Sequence, residues 1–149
     1  MMNIAWFKRD LRVADNAALS SAINCGSVLP LYIYEPELWQ QPDMSRRHYD
    51  FLKECLISLR ADLKSLGLTL VTKTGDTLEI LQSIHERHNV KSIWSHQETW
   101  NRWTYQRDIR VKQWALTNNI QWHEPAQNGV VRNIRTRNGW SANWNKEMR

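Results

Sequence analysis

Trp6 to Asn16 reads WFKRDLRVADN, an apolar run that ends in Lys8, Arg9 and Asp10, with Arg12 and Asp15 close behind. Charged side chains gathered where a strand gives way to a helix can do one of two things. They can hold a polar or charged ligand by hydrogen bonds and charge, or they can neutralise one another in a network that stiffens the turn. The residues alone leave both open. The stretch contains no glycine, although a dinucleotide reader needs glycines there so that the backbone can approach a pyrophosphate. The pattern GxGxxG occurs nowhere in the chain, which argues against ordinary NAD binding.

Other candidate constellations have simpler explanations. His85 and His88 lie three apart on a helical pattern with no third ligand of suitable type nearby, so they read as surface histidines rather than a metal site. Asp76 and Glu79 have the spacing of a capping box and are assigned no catalysis. Trp103, Arg107, Arg110 and Trp114 recur at helical steps, a stripe that reads as core or interface edge rather than a stacking platform for nucleic acid. Cys25 and Cys55 lack metal-ligand spacing and read as buried thiols. No residue is assigned a catalytic role.

The elements that would position the charged loop follow from apolar spacing. Ile4–Phe7, Val28–Tyr34, Leu68–Thr74, Val90–His96 and Ile120–Glu124 read as strands. Between them lie helical patterns: one after Asp15 or Asn16 as N-cap, a long one from Ser45 to Leu66 stopped by Gly67, one opened by Asp76, and one through RWTYQRDIRVKQWALTNN. Strand and helix alternate with short connections, which predicts an α/β fold: a five-stranded parallel, doubly wound, Rossmann-like sheet with helices on both faces. Ligands of such sheets sit beyond the carboxyl ends of the strands, where strand order reverses. Function is therefore expected in the loops after strands one to four.

At 149 residues the chain is one ordinary domain. It has no apolar run long enough to span a membrane, and Met1-Met2-Asn3 leads directly into a strand without a signal pattern. A cytoplasmic location with no membrane partner is expected. The net charge of +5 is uneven, because residues 125–149 hold Arg132, Arg135, Arg137, Lys146 and Arg149 against Glu147 alone. Such a tail suits a phosphate backbone, solvent or an acidic neighbouring domain. Nine tryptophans in so small a domain point to interfaces or aromatic ligand sites as well as core.

The stretch WFKRDLRVADNAAL resembles the opening strand-loop-helix of the DNA photolyase and cryptochrome family, whose pattern there is WFR-x-DLR-x-x-DN-x-A, with Lys8 at the first basic position. The similarity continues through PLYIYEPELW, DMSRRHYDFLKECLISLRADLKSLG, the Gly75-Asp76 turn and YQRDIRV, and so covers most of residues 3–124. The resemblance implies the N-terminal, light-harvesting (antenna) domain of a deoxyribodipyrimidine photolyase. Residues 1–124 would form the α/β domain, and 125–149 a basic, tryptophan-containing linker toward a C-terminal helical domain. FAD, and damaged DNA, would bind only that absent domain, so the chain alone is expected to be inactive. A folate or deazaflavin pigment would bind the α/β domain, with Phe7, Lys8, Arg9, Asp10, Glu35, Glu98 and Asn101 at the matching positions. Lys8, Arg9 and Asp10 would then face the pigment cleft, while Arg12 and Asp15 tie the strand to its helix. Trp100 and Trp103 would either stack on the pigment or plug its place. Trp140 and Trp144 would dock on the absent domain. The alternatives are the same domain of a cryptochrome photoreceptor and a stand-alone nucleotide-binding module.

Overall fold

A computed structural model describes residues 1–127 and 145–146, so the linker tryptophans Trp140 and Trp144 lie outside the described residues. Ile4, Trp6, Leu31 and Ile33 point to one face of the sheet, and Ala5, Phe7 and Tyr32 to the other. That alternation is the period of two expected of β1 (Met2–Phe7) and β2 (Val28–Tyr34), both apolar on both faces. Helices α1 (Ala17–Asn24) and α3 (Arg46–Ser65) cover one face with Leu19, Ala22, Leu52, Leu56, Leu59 and Leu63. Helices α4 (Thr77–His88) and α5 (Arg102–Thr117) cover the other with Leu81, Ile84, Val111 and Ala115. A short helix, α2 (Pro36–Trp39), follows β2.

With β3 (Val71–Thr74), β4 (Val90–Trp94) and β5 (Gln121–His123), the sheet order is β3-β2-β1-β4-β5 and every pair is parallel. The doubly wound, five-stranded architecture expected from the alternation is therefore the one observed. The chain moves from β1 outward to β3, then crosses back to β4 on the other side of β1. The switch point lies between the carboxyl ends of β1 and β4. Among the described residues no helix is long and apolar enough to cross a membrane.

Local chemistry sets the helix starts. Ser45 caps α3 by accepting the His48 N–H, Asp76 caps α4 by accepting the Glu79 N–H, and Asn101 caps α5 by accepting the Thr104 N–H. The outer strands are shorter than their apolar runs: β3 begins at Val71 rather than Leu68, and β5 spans three residues. Each has a single neighbour and pairs with only part of it, β3 with Leu31–Tyr34 of β2 and β5 with Ser92–Trp94 of β4. Cys25 departs from expectation. It is exposed at the end of α1, while Cys55 is half-buried.

Asn16, not Asp15, caps α1: its Oδ1 accepts the Leu19 N–H at 2.9 Å while its Nδ2 donates to the Arg12 carbonyl at 2.9 Å. Asp15 instead takes a left-handed backbone, φ 49°, a conformation Asp tolerates better than most residues. Arg12 and Asp15 form no ion pair, since the Arg12 guanidinium donates to the Asp15 carbonyl at an exposed position. The expected anchor is thus supplied by Asn16. Arg12→Ala is accordingly expected to change the unfolding free energy by less than about 0.5 kcal/mol, as at ordinary surface positions. A loss above about 1 kcal/mol in urea unfolding would restore a buried role for Arg12.

Candidate functional site

The loops after β1, β2 and β4 meet over the carboxyl edge of the sheet and enclose buried charge. Arg107, on the sheet-facing side of α5, donates to Glu35 after β2, to Glu98 after β4 and, through Nε, to its neighbour Asp108 at 3.0 Å. Asp108 also pairs with Lys8 Nζ at 3.3 Å. All five side chains are almost wholly withdrawn from solvent. Glu35 receives a further hydrogen bond from the Thr77 hydroxyl at 2.7 Å. Burial lifts the Glu35 carboxyl above its ordinary value, against the pull of Arg107 and the Thr77 bond. Burial works against the Arg107 guanidinium too, but the charges of Glu98, Glu35 and Asp108 outweigh it and hold the proton more tightly than usual.

The loop after β1 is divided between roles. Lys8 turns inward, its ammonium 4.3 Å from the Trp6 ring centroid as well as against Asp108. Asp10 is buried as well. One carboxylate oxygen accepts the Lys8 N–H at 2.9 Å and the other lies 2.5 Å from His96 Nδ1. Arg9 is exposed, and its guanidinium stacks 4.1 Å from the centroid of Trp100.

Two cavities flank this loop. A cleft of about 450 Å³ lies over β1 and β2, with Phe7, Lys8, Arg9, Glu35 and Glu98 on its walls together with Trp39, Leu52, Phe51 and Trp100. A second, more polar cavity of about 430 Å³ lies at the switch point and is lined by Asp10, His96, Gln97, Thr99 and Gln127, with Lys8, Arg9 and Glu98 shared. Of the seven candidate positions, five line the cleft and Asp10 lines only the second cavity. Asn101 lines neither. It caps α5 and donates to Asp43, a residue of the cleft wall, at 3.1 Å. Trp100 stands on the cleft wall, whereas Trp103 lies 5.6 Å from the Arg107 guanidinium.

Sequence reasoning missed Arg107, Asp108 and His96 as members of the site. A signal for the first two exists. Thr104, Arg107, Asp108, Val111 and Ala115 share the buried face of α5, so two charged residues sit at core spacing and require buried partners. His85 departs from the surface reading: it is half-buried, accepts the Val90 N–H at 3.1 Å and meets Trp114 edge-on. Among the described residues no cluster of His, Cys, Asp or Glu could hold a metal ion.

The Asp10 pair predicts an acid response. Burial pushes its carboxyl up, but the hydrogen bonds from His96 and the Lys8 N–H outweigh burial and hold it below the ordinary carboxylate value. A lowered folded-state value means that the stability Asp10 contributes is complete above the ordinary value. It is lost as pH falls through the lowered one. Asp10→Asn should therefore cost stability at neutral pH, and the gap from the wild type should narrow in strong acid. A gap that does not change with pH in urea unfolding would count against the pairing.

Comparison with known proteins places this arrangement. The family described as DNA photolyase matches residues 3–142. A protein named cryptochrome DASH, chloroplastic/mitochondrial, from Arabidopsis thaliana is 35% identical over 105 residues, which is 66% of this chain and 18% of that protein. A deoxyribodipyrimidine photo-lyase from Salmonella typhimurium is 33% identical over 117 residues, covering 74% of this chain and 24% of that protein. The chain thus spans about a fifth to a quarter of these relatives. Among solved structures, an archaeal photolyase from Sulfolobus tokodaii, described with two FAD molecules and a novel light-harvesting cofactor, shares the fold. Its TM-score is 0.77 at 24% identity, over 98% of this chain and 34% of that one. Family match, related sequences and shared α/β architecture agree: the chain belongs to the DNA photolyase family and has the fold of its N-terminal domain.

Proposed function

We propose that this chain is the light-harvesting domain of a deoxyribodipyrimidine photolyase, and that the cleft over β1 and β2 holds its antenna pigment. In this reading residues 1–124 form the domain and 125–149 lead to a C-terminal helical domain. That domain holds FAD and carries light-driven repair of pyrimidine dimers in DNA, and this chain alone has no repair activity. The location is cytoplasmic.

The observation that carries the reading is the cleft, whose volume suits a ring system of drug-like size. It fits such a ligand chemically as well. The Trp39 ring stands on the cleft wall, while its indole N–H is buried without an acceptor among the described residues. Phe7, Tyr32, Trp39 and Trp100 supply aromatic surface, and Leu38, Met44 and Leu52 supply apolar surface. Glu35, Glu98, Arg107 and Lys8 form a rigid polar floor, and Asn101 holds the cleft wall through Asp43. Phe7, Lys8, Arg9, Glu35 and Glu98 are thus read as lining residues, with Asp10 and Asn101 as residues that fix the loops behind them. The bound pigment would absorb light and pass the excitation to FAD. The chain's residues orient the ring and exclude water from it. Folate and deazaflavin pigments remain the expected classes, and the second FAD of the Sulfolobus protein adds a flavin to them.

A cryptochrome photoreceptor is the second reading, favoured by the 35% identity to a cryptochrome DASH. Blue-light repair of dimers by the full-length parent separates the two. The pigment site is tested on the chain itself by titration with riboflavin, a deazaflavin and a methenyl folate, following quenching of tryptophan fluorescence. At least one ring should bind, and Trp39→Ala, which removes aromatic surface from the cleft wall, should weaken it by about 1 kcal/mol, roughly fivefold. Absence of binding by all three would remove the antenna reading.

A further inference from the structure

The polar cavity at the switch point is not needed to hold a ring, yet it adjoins the cleft through Lys8, Arg9 and Glu98. It lies where doubly wound sheets place ligands, between the loops that follow β1 and β4. Two of its groups have unused hydrogen-bonding capacity. Arg9 forms no ion pair among the described residues, and its stacking on Trp100 engages only the face of the guanidinium. Its planar N–H fork is left for a ligand. His96 is 5% exposed, with Nδ1 held by Asp10 and no partner for Nε2 among the described residues. Asp10 thereby fixes the ring so that Nε2 is the nitrogen available to the cavity.

The acidic members of the wall are already engaged. Asp10 accepts the Lys8 N–H and pairs with His96, and Glu98 accepts from Arg107. Lys8 is occupied by Asp108. What remains facing the cavity is Arg9, His96 Nε2 and the hydroxyl and amide groups of Thr99, Gln97 and Gln127. Arg9, the Thr99 hydroxyl and the amide N–H groups can donate to an oxyanion, and His96 Nε2 does so when it carries a proton.

We infer that this cavity binds the acidic tail of the pigment, a phosphate or carboxylate tethered to the ring in the cleft, through Arg9 and His96. The inference rests on the antenna reading and adds the ligand class to it: a planar ring with an anionic side chain rather than a neutral ring. The carboxylates around the cavity are satisfied by protein partners, so an incoming oxyanion meets donors first. Binding at Nε2 requires the shared proton to lie on that nitrogen or on the ligand oxyanion, and no bond other than hydrogen bonds is formed.

The test compares matched ligands on the chain by equilibrium dialysis or fluorescence: riboflavin against its 5′-phosphate, and 6-methylpterin against folic acid. One charge-assisted contact predicts an affinity gain of about tenfold or more for the tailed member of at least one pair. Which pair shows it identifies the tail as phosphate or carboxylate. In Arg9→Gln and, separately, in His96→Gln, that ratio should fall to within about threefold. Arg9 is exposed and forms no ion pair among the described residues, so its variant keeps the test valid if His96→Gln folds poorly. If rings bind but tailed and untailed members bind equally, the inference is overturned and the antenna reading stands. A tail advantage that survives both substitutions also overturns it. If no ring binds, the antenna reading fails first.

Discussion

Arg107→Ala is expected to lower the stability of the domain by about 3–5 kcal/mol, the usual cost of removing one partner from a buried ionic cluster. The side chain holds Glu35 and Glu98 from loops that are distant in sequence and also steadies Asp108. Its removal takes the guanidinium away from three buried carboxylates at once, while Lys8 stays on Asp108 and the Thr77 hydroxyl on Glu35. The penalty should depend on pH. Burial already raises Glu35, and without Arg107 its folded-state value rises further. The variant then takes up protons on folding and regains stability as pH falls through those raised values. Urea unfolding over a range of acid and neutral pH measures this. A loss below about 1 kcal/mol, typical of exposed ion pairs, would mean that the cluster is solvated after all.

Leu59→Ala is expected to cost about 2–5 kcal/mol, the range for removing a fully buried leucine whose surroundings cannot collapse. Leu59 is fully buried on α3 in the cluster that contains Ala5, Phe7 and Tyr32. The cleft is lined one and two turns earlier in the helix, by Phe51, Leu52 and Cys55. Thermal or urea unfolding should therefore register the loss while pigment affinity, measured well below the unfolding transition, changes little. A large fall in affinity without a fall in stability would show that α3 shifts as a rigid body and that the cleft depends on its exact seating.

The fold was legible because its determinants are local and periodic. The apolar runs of β1 and β2, the spacing of Leu52, Leu56, Leu59 and Leu63, and the caps Ser45 and Asp76 each act within a few residues. Strand lengths were less legible, since the ends of β3 and β5 depend on the register of one neighbour. The loop after β1 was half-read. Its charge was evident, but whether Lys8 points to solvent or to Asp108 depends on a residue 100 positions away. Arg107 was missed for the same reason: its partner Glu35 is 72 positions distant. In a helix, charge at core spacing is the only local trace such a contact leaves. Asn101 matched a pigment position by resemblance, yet its hydrogen bonds are those of a cap and a loop tie.

The buried cluster also constrains how this domain can diverge. Positions 8, 35, 98, 107 and 108 share one set of charges, so a neutralising change at any one makes the remaining charges unfavourable until a second change compensates. Double-mutant cycles among them should be strongly non-additive. Viable sequences would then change these five positions in groups, whereas Arg9, which is exposed and outside the cluster, can vary alone. The inner part of the charged loop is tied to the history of three other segments, and its outer residue is free to follow whatever ligand the domain meets.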